Sequence, residues 1–170
     1  MTKSNAGRSR ILVVSPTYPF PLVSGGKQRI YHILRQLSRH FSITLLTLAE
    51  DHGEEETYRA ALPFIDEVVA VPIQQSRVHQ VLRLLWNLPQ WLLGTPAEVL
   101  VKASPKMMSL FRQLIDSGHY DVVQLEYAQS TPYLRISKLY GVPTILVAHD
   151  ISFISQERKA ALQRGQMRFF

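Results

Sequence analysis

Gly25-Gly26 follows a Pro-rich loop and a buried-type apolar run, Ile11 to Val14, and it opens a segment with helical periodicity. A glycine pair at that point lets backbone N–H groups approach an anion while the positive end of the helix faces it, which is the physical basis of a phosphate site. Ser24, directly before the pair, belongs to the same candidate loop. A tight turn is the alternative use of two glycines. Neither G-x-G-x-x-G nor the Lys-Ser/Thr ending of a P-loop is present, so dinucleotide and Walker-type sites are not indicated. Two further pairs stand where a strand ends: Glu126-Tyr127 after Asp121 to Leu125, and His149-Asp150 after Thr144 to Ala148. Imidazole titrates near neutrality and a neighbouring carboxylate orients it, so His149-Asp150 reads as a hydrogen-bonding or proton-handling pair, with capping of loop backbone as its alternative. His32, His40, His52, His79 and His119 have no metal-ligand spacing, and no metal site is expected.

These residues need a scaffold that brings strand ends together. Five short runs read as strands: Ile11 to Ser15, Ser42 to Leu48, Glu67 to Ile73, Asp121 to Leu125 and Thr144 to Ala148. Their continuous Val, Ile and Leu content is that of a parallel sheet covered on both faces. Between them, Gly26 to His40 places Ile30, Ile33, Leu34, Leu37 and Phe41 on one stripe and leaves Arg29, Gln36 and Arg39 for solvent. Ser104-Pro105 opens a helix closed by Gly118, and Thr131-Pro132 with Gly141 brackets another. Alternating strands and helices predict an α/β fold: a Rossmann-like, doubly wound parallel sheet with helices on both faces and right-handed crossovers. Ligands of such sheets bind outside the carboxyl ends of the strands, where Ser24 to Gly26, Glu126-Tyr127 and His149-Asp150 can converge.

Composition bounds the setting. The 170 residues, 46% hydrophobic and 19% charged, suit one domain over 11–170 after a flexible, basic segment 1–10. There is no cysteine, and the first apolar run is too short for a signal-peptide core or a membrane span, which points to a cytoplasmic protein. The acidic stretch Asp51 to Glu56 reads as the start of a short helix ending near Leu62, with a metal site as the sharper alternative. The net charge of +6 is scattered along the chain, which argues against nucleic acid and for a phosphorylated partner or an anionic membrane surface. The stretch Ser76 to Ala103 is a helical insert rich in apolar residues and interrupted by Pro89. It packs into the core, or its Trp86 and Trp91, beside Arg77 and Arg83, meet lipid at the inner face of a membrane.

The chain resembles the N-terminal domain of the family 4 glycosyltransferases, the group 1 retaining enzymes of GT-B fold. The matching pieces are Ile-Leu-Val-Val-Ser at 11 to 15, the loop Pro21 to Gly26 opening a helix, Tyr120-Asp121-Val122-Val123-Gln124-Leu125-Glu126, and Gly141-Val142-Pro143 leading through a strand into His149-Asp150. The resemblance implies sugar transfer from a nucleotide-sugar donor to a polysaccharide or glycolipid acceptor, with retention at the anomeric carbon and no obligatory metal or other cofactor. It places Ser24, Gly25 and Gly26 near the donor phosphates, His149 at the reacting sugar, and Glu126, Tyr127 and Asp150 near the acceptor.

In that family a second domain carries the nucleotide pocket and an E-x7-E motif. The sequence to Phe170 holds one domain, so it is expected to be the acceptor-binding half, inactive by itself. A half-domain of a nucleotide-sugar epimerase and a non-catalytic sugar- or lipid-binding module are the competing readings.

Overall fold

The computed structural model describes residues 7–49, 55–73 and 104–148, together with Leu85, Leu88, Pro89 and Leu92. Five strands, β1 (Arg10–Ser15), β2 (Ser42–Ala49), β3 (Glu67–Pro72), β4 (Val122–Glu126) and β5 (Thr144–Val147), form one parallel sheet in the order β3-β2-β1-β4-β5. The helices are α1 (Gly25–Leu37), α2 (Glu55–Ala61), α3 (Pro105–Gly118) and α4 (Thr131–Leu139), the last preceded by a 3-10 turn, Ala128–Ser130. This is the doubly wound α/β fold expected from the sequence.

Strand pleating divides the core in two. Ile11, Val13, Ile43, Leu45 and Val68 pack with Ile30 and Leu34 of α1, Tyr58 of α2 and Leu62 on one face. Leu12, Val14, Leu46, Leu48, Val123 and Leu125 pack with Met107, Phe111 and Ile115 of α3 and Tyr133 and Ile136 of α4 on the other. At the amino ends of the strands two carboxylates act as staples. Asp66 Oδ2 accepts from the Ile43 amide at 2.8 Å, and Asp121 Oδ2 accepts from the Arg10 amide at 2.7 Å.

Three local features depart from the expectation. The first helix ends at Leu37 rather than His40, because Ser38 caps it and residues 38–41 close in tight turns back to α1. Gly118 closes α3 as expected, and the residue beyond it, His119, is left-handed, with φ 46°. A side chain at Gly118 would run into the Tyr120 ring, so close approach explains that glycine. Thr131 lies inside α4, and Ser130 precedes it in a helical conformation without a side-chain cap. Finally, the edge strand β5 is not covered on both faces, since Ile145 and Leu146 are exposed.

Tyr133 is buried against Phe111, ring centroids 5.1 Å apart, and its hydroxyl has no hydrogen-bond partner among the described residues. An unsatisfied buried hydroxyl costs about 1–3 kcal/mol. Burial also pushes the phenol's pKa well above the usual tyrosine value. The folded chain therefore keeps this proton at a pH where the unfolded chain loses it, and stability falls as pH rises above about 10. Tyr133→Phe is expected to raise stability by about 1 kcal/mol at neutral pH and to flatten part of the alkaline loss, read by urea denaturation at several pH values. A destabilised variant would mean that the hydroxyl has a partner.

Candidate functional site at the switch point

β1 and β4 are neighbours in mid-sheet, and the chain winds from β1 toward β3 on one side and from β4 to β5 on the other. The loops leaving the carboxyl ends of β1 and β4 therefore diverge, and the crevice between them is where such folds take ligands. The α1 helix begins on the first of these loops. Ser24 is its N-cap, extended at φ −137°, with its Oγ accepting from the Lys27 amide at 3.3 Å. The amides of Gly25 and Gly26 then have no intrahelical acceptor, and the first turn carries no acidic residue.

The two glycines differ in role. Neither has a positive φ, so a tight turn does not account for them. A Cβ at Gly26 would collide with the Tyr127 hydroxyl, whereas a Cβ at Gly25 would meet nothing within 4 Å. Gly26 makes room for a side chain of the fold. Gly25 leaves the helix terminus open, and no packing within the described residues requires it to be glycine.

Tyr127 reaches Gly26 because the backbone turns abruptly at the end of β4. By alternation Val123 and Leu125 face α3 and α4, while Val122, Gln124 and Glu126 face the α1 side, Gln124 lying in register with Val13. Tyr127 should point to the α3 side. Its φ of 64° and ψ of 154° instead turn the ring onto the α1-side cluster. That region of conformational space is normally reserved for glycine and costs a tyrosine on the order of 1–3 kcal/mol, a strain that clusters at functional sites. It is held by the Tyr127 amide donating to Val147 O at 2.9 Å and the Ser130 amide donating to Tyr127 O at 3.0 Å.

The end of β4 carries a polar pair in an apolar sheet. Gln124 Nε2 donates to Glu126 Oε1 at 2.6 Å, both residues are buried, and Ser130 Oγ donates to Glu126 O at 2.6 Å. The structure thus joins Ser24, Gly25, Gly26, Glu126 and Tyr127 at one end of the sheet. Gln124 is an addition to that set. Its signal in the sequence is two polar residues spaced two apart, and so on one face, within Val-Val-Gln-Leu-Glu.

β5 ends at Val147, paired with Glu126. His149 and Asp150 lie outside the described residues, as do Arg77, Arg83, Trp86 and Trp91. Leu85, Leu88 and Leu92 of the insert are helical and exposed, so these three are not core. Among the described residues no group of three acidic, His or Cys side chains is arranged to hold a metal, and no helix is long and apolar enough to cross a membrane.

No family model matches the sequence, and no curated protein sequence matches it. In fold the chain is similar to the C-terminal domain of a hydrogenase from Pyrococcus furiosus, with a TM-score of 0.50, 17% identity, and coverage of 82% of this chain and 91% of that one. It is equally similar to Phytolacca americana UGT2 complexed with UDP-2fluoro-glucose and pterostilbene, with a TM-score of 0.50, 16% identity and coverage of 83% of this chain. The chain spans 30% of the UGT2 chain's length. Two such differently named proteins sharing one fold show that architecture alone does not select the chemistry.

Proposed function

We propose that this chain is the acceptor-binding half of a glycosyltransferase, one Rossmann-like domain of a GT-B pair, using a nucleotide-sugar donor and a polysaccharide or glycolipid acceptor in the cytoplasm. The observation that carries the reading is the open N-terminus of α1 at Gly25, beside the strained Tyr127 that packs on Gly26, at the carboxyl ends of β1 and β4. The fold likeness to UGT2, a protein seen with UDP-2fluoro-glucose and pterostilbene, is compatible with it.

In such a transfer the bond from the anomeric carbon to the donor's diphosphate oxygen breaks, the bond to the acceptor oxygen forms, and the diphosphate leaves with added negative charge. The Gly25 and Gly26 amides and the helix terminus answer that charge, and the Ser24 hydroxyl fixes the terminus by capping it. Tyr127 forms the acceptor side of the crevice, next to the buried Glu126 that accepts from Gln124. His149 and Asp150 follow β5 in sequence, and the family resemblance assigns His149 to the reacting sugar and Asp150 to the acceptor. The nucleotide and the nucleotide-facing E-x7-E carboxylates belong to a second domain, and a family 4, retaining, metal-independent reaction is the finer form of the proposal.

Titration of the isotope-labelled chain with UDP, UDP-glucose and inorganic diphosphate tests it. The amide resonances of Gly25, Gly26 and Lys27 are expected to shift first, and Gly25→Val is expected to suppress the shifts while the melting temperature stays within a few degrees, since its Cβ enters open space. No released nucleoside diphosphate is expected from the 170-residue chain with a panel of donors. Steady turnover by this chain, or shifts that avoid the α1 terminus, would remove the reading.

A further inference from the structure

The sheet order places β3 at one edge and β5 at the other, and the two edges are finished differently. β3 begins with Glu67 and ends with Pro72, a charge and a missing N–H donor of the kind that keeps an edge strand from pairing further. β5 carries neither. From Gly141 to Ala148 there is no charged residue, and Pro143 precedes the strand rather than interrupting it. Ile145 aligns with Gln124 and Leu146 with Leu125, so the two stand on opposite faces of the sheet. Both are exposed, at 53% and 41%, as are Leu139 and Tyr140 where α4 ends.

The backbone of β5 is half used. The Val123 amide donates to Pro143 O and the Tyr127 amide to Val147 O, both at 2.9 Å, so the odd-numbered residues of this stretch face β4. In a parallel ladder the residues between them turn their N–H and C=O the other way. Those residues are Thr144 and Leu146, and among the described residues no strand lies beyond them. A lipid or a small apolar ligand covers side chains but supplies no ladder. Another strand answers the backbone and both faces together.

We propose that β5 pairs with β5 of a second copy of this chain, antiparallel, about a two-fold axis at Ile145. In that register Thr144 of each copy exchanges both hydrogen bonds with Leu146 of the other, and the two Ile145 side chains meet at the centre as the closer, non-hydrogen-bonded kind of pair. Every outward N–H and C=O of the strand is then answered, and no like charges are set opposite each other between Gly141 and Ala148. The two sheets become one continuous sheet. Because the central pair is antiparallel, the carboxyl ends of the two copies point to opposite rims, and the pairing is independent of the glycosyl-transfer reading.

Sedimentation velocity of the 170-residue chain over a range of concentrations tests it. A monomer–dimer equilibrium is expected, and it should strengthen as salt rises, since copies with a net charge of +6 repel and salt screens that repulsion. Leu146→Pro removes an N–H that faces away from β4, so it is expected to abolish the dimer while leaving the ladder within the chain intact. Ile145→Lys sets two lysines opposite each other and is expected to weaken association by about tenfold. Both side chains are exposed, so the melting temperature of the monomer should move little. Amide exchange at Thr144 and Leu146 is expected to slow as concentration rises. A chain that stays monomeric at every concentration, or a dimer that both variants leave intact, would overturn the proposal. Slow exchange at these two amides that does not change with concentration would also overturn it, and would assign the edge to a strand of the same polypeptide.

Discussion

Gly26→Val is expected to lower the stability of the chain by about 2 kcal/mol and, on the glycosyl-transfer reading proposed above, to reduce turnover by about 100-fold. The stability term is overpacking, which costs about 1–3 kcal/mol when a side chain is forced into filled space. The new Cβ meets the Tyr127 hydroxyl, and the Tyr127 backbone is held on both sides by the hydrogen bonds to Val147 and from Ser130. The ring has to swing away, and it swings across the crevice. Misplacing a positioning group by about 1 Å is enough for a 100-fold loss. A second substitution separates the parts: Tyr127→Phe removes the colliding oxygen and is expected to restore more than half of the lost stability in the Gly26→Val background. Urea denaturation of the two single variants and the double gives the coupling. Additive effects would show that the two side chains do not meet.

Glu126→Ala is expected to cost about 3 kcal/mol. Its carboxylate is fully buried and accepts the Gln124 amide, so truncation leaves a buried donor without that acceptor, at about 1–3 kcal/mol, and opens a cavity in the sheet. Replacing both members by apolar residues of similar shape, Gln124→Met with Glu126→Met, is expected to recover part of that stability, because the Gln124 donor is then no longer stranded. If Glu126 also contacts the acceptor, the double variant folds like the parent and still fails to bind acceptor. A double variant that binds acceptor normally would confine Glu126 to a structural role.

The five strands were legible in the sequence because each is rich in branched apolar residues, four of them with Pro or Asp next to one end, and the crevice followed from where such runs end. Strand ends moved by at most one residue, as Asp121 shows: it stands outside β4 because its carboxylate caps the Arg10 amide. Tyr127 was legible as a site residue but not as a strained one, since a left-handed φ is announced in sequence by Gly or Asn and a tyrosine carries no such mark. Gly118 was legible as the end of its helix. The space it leaves for the Tyr120 ring was not, because that is a tertiary contact that no local pattern encodes. Gln124 was hidden inside its apolar run until the pairing with Glu126 gave it a partner.

Asp66 and Asp121 fasten β2 and β4 to their neighbours at the amino ends of the strands, while the candidate ligand-binding residues among those described, Ser24 to Gly26, Glu126 and Tyr127, sit at the opposite rim. Strand register, which a one-residue slip would ruin, is thus fixed by groups that take no part in recognition. Sequence drift among residues 16–24 or around Ala128 can then reshape what the crevice accepts without disturbing the alignment of the sheet. For an engineer this division marks the carboxyl-end loops as the place to diversify for new acceptors, and the two aspartates as positions to leave untouched in any library.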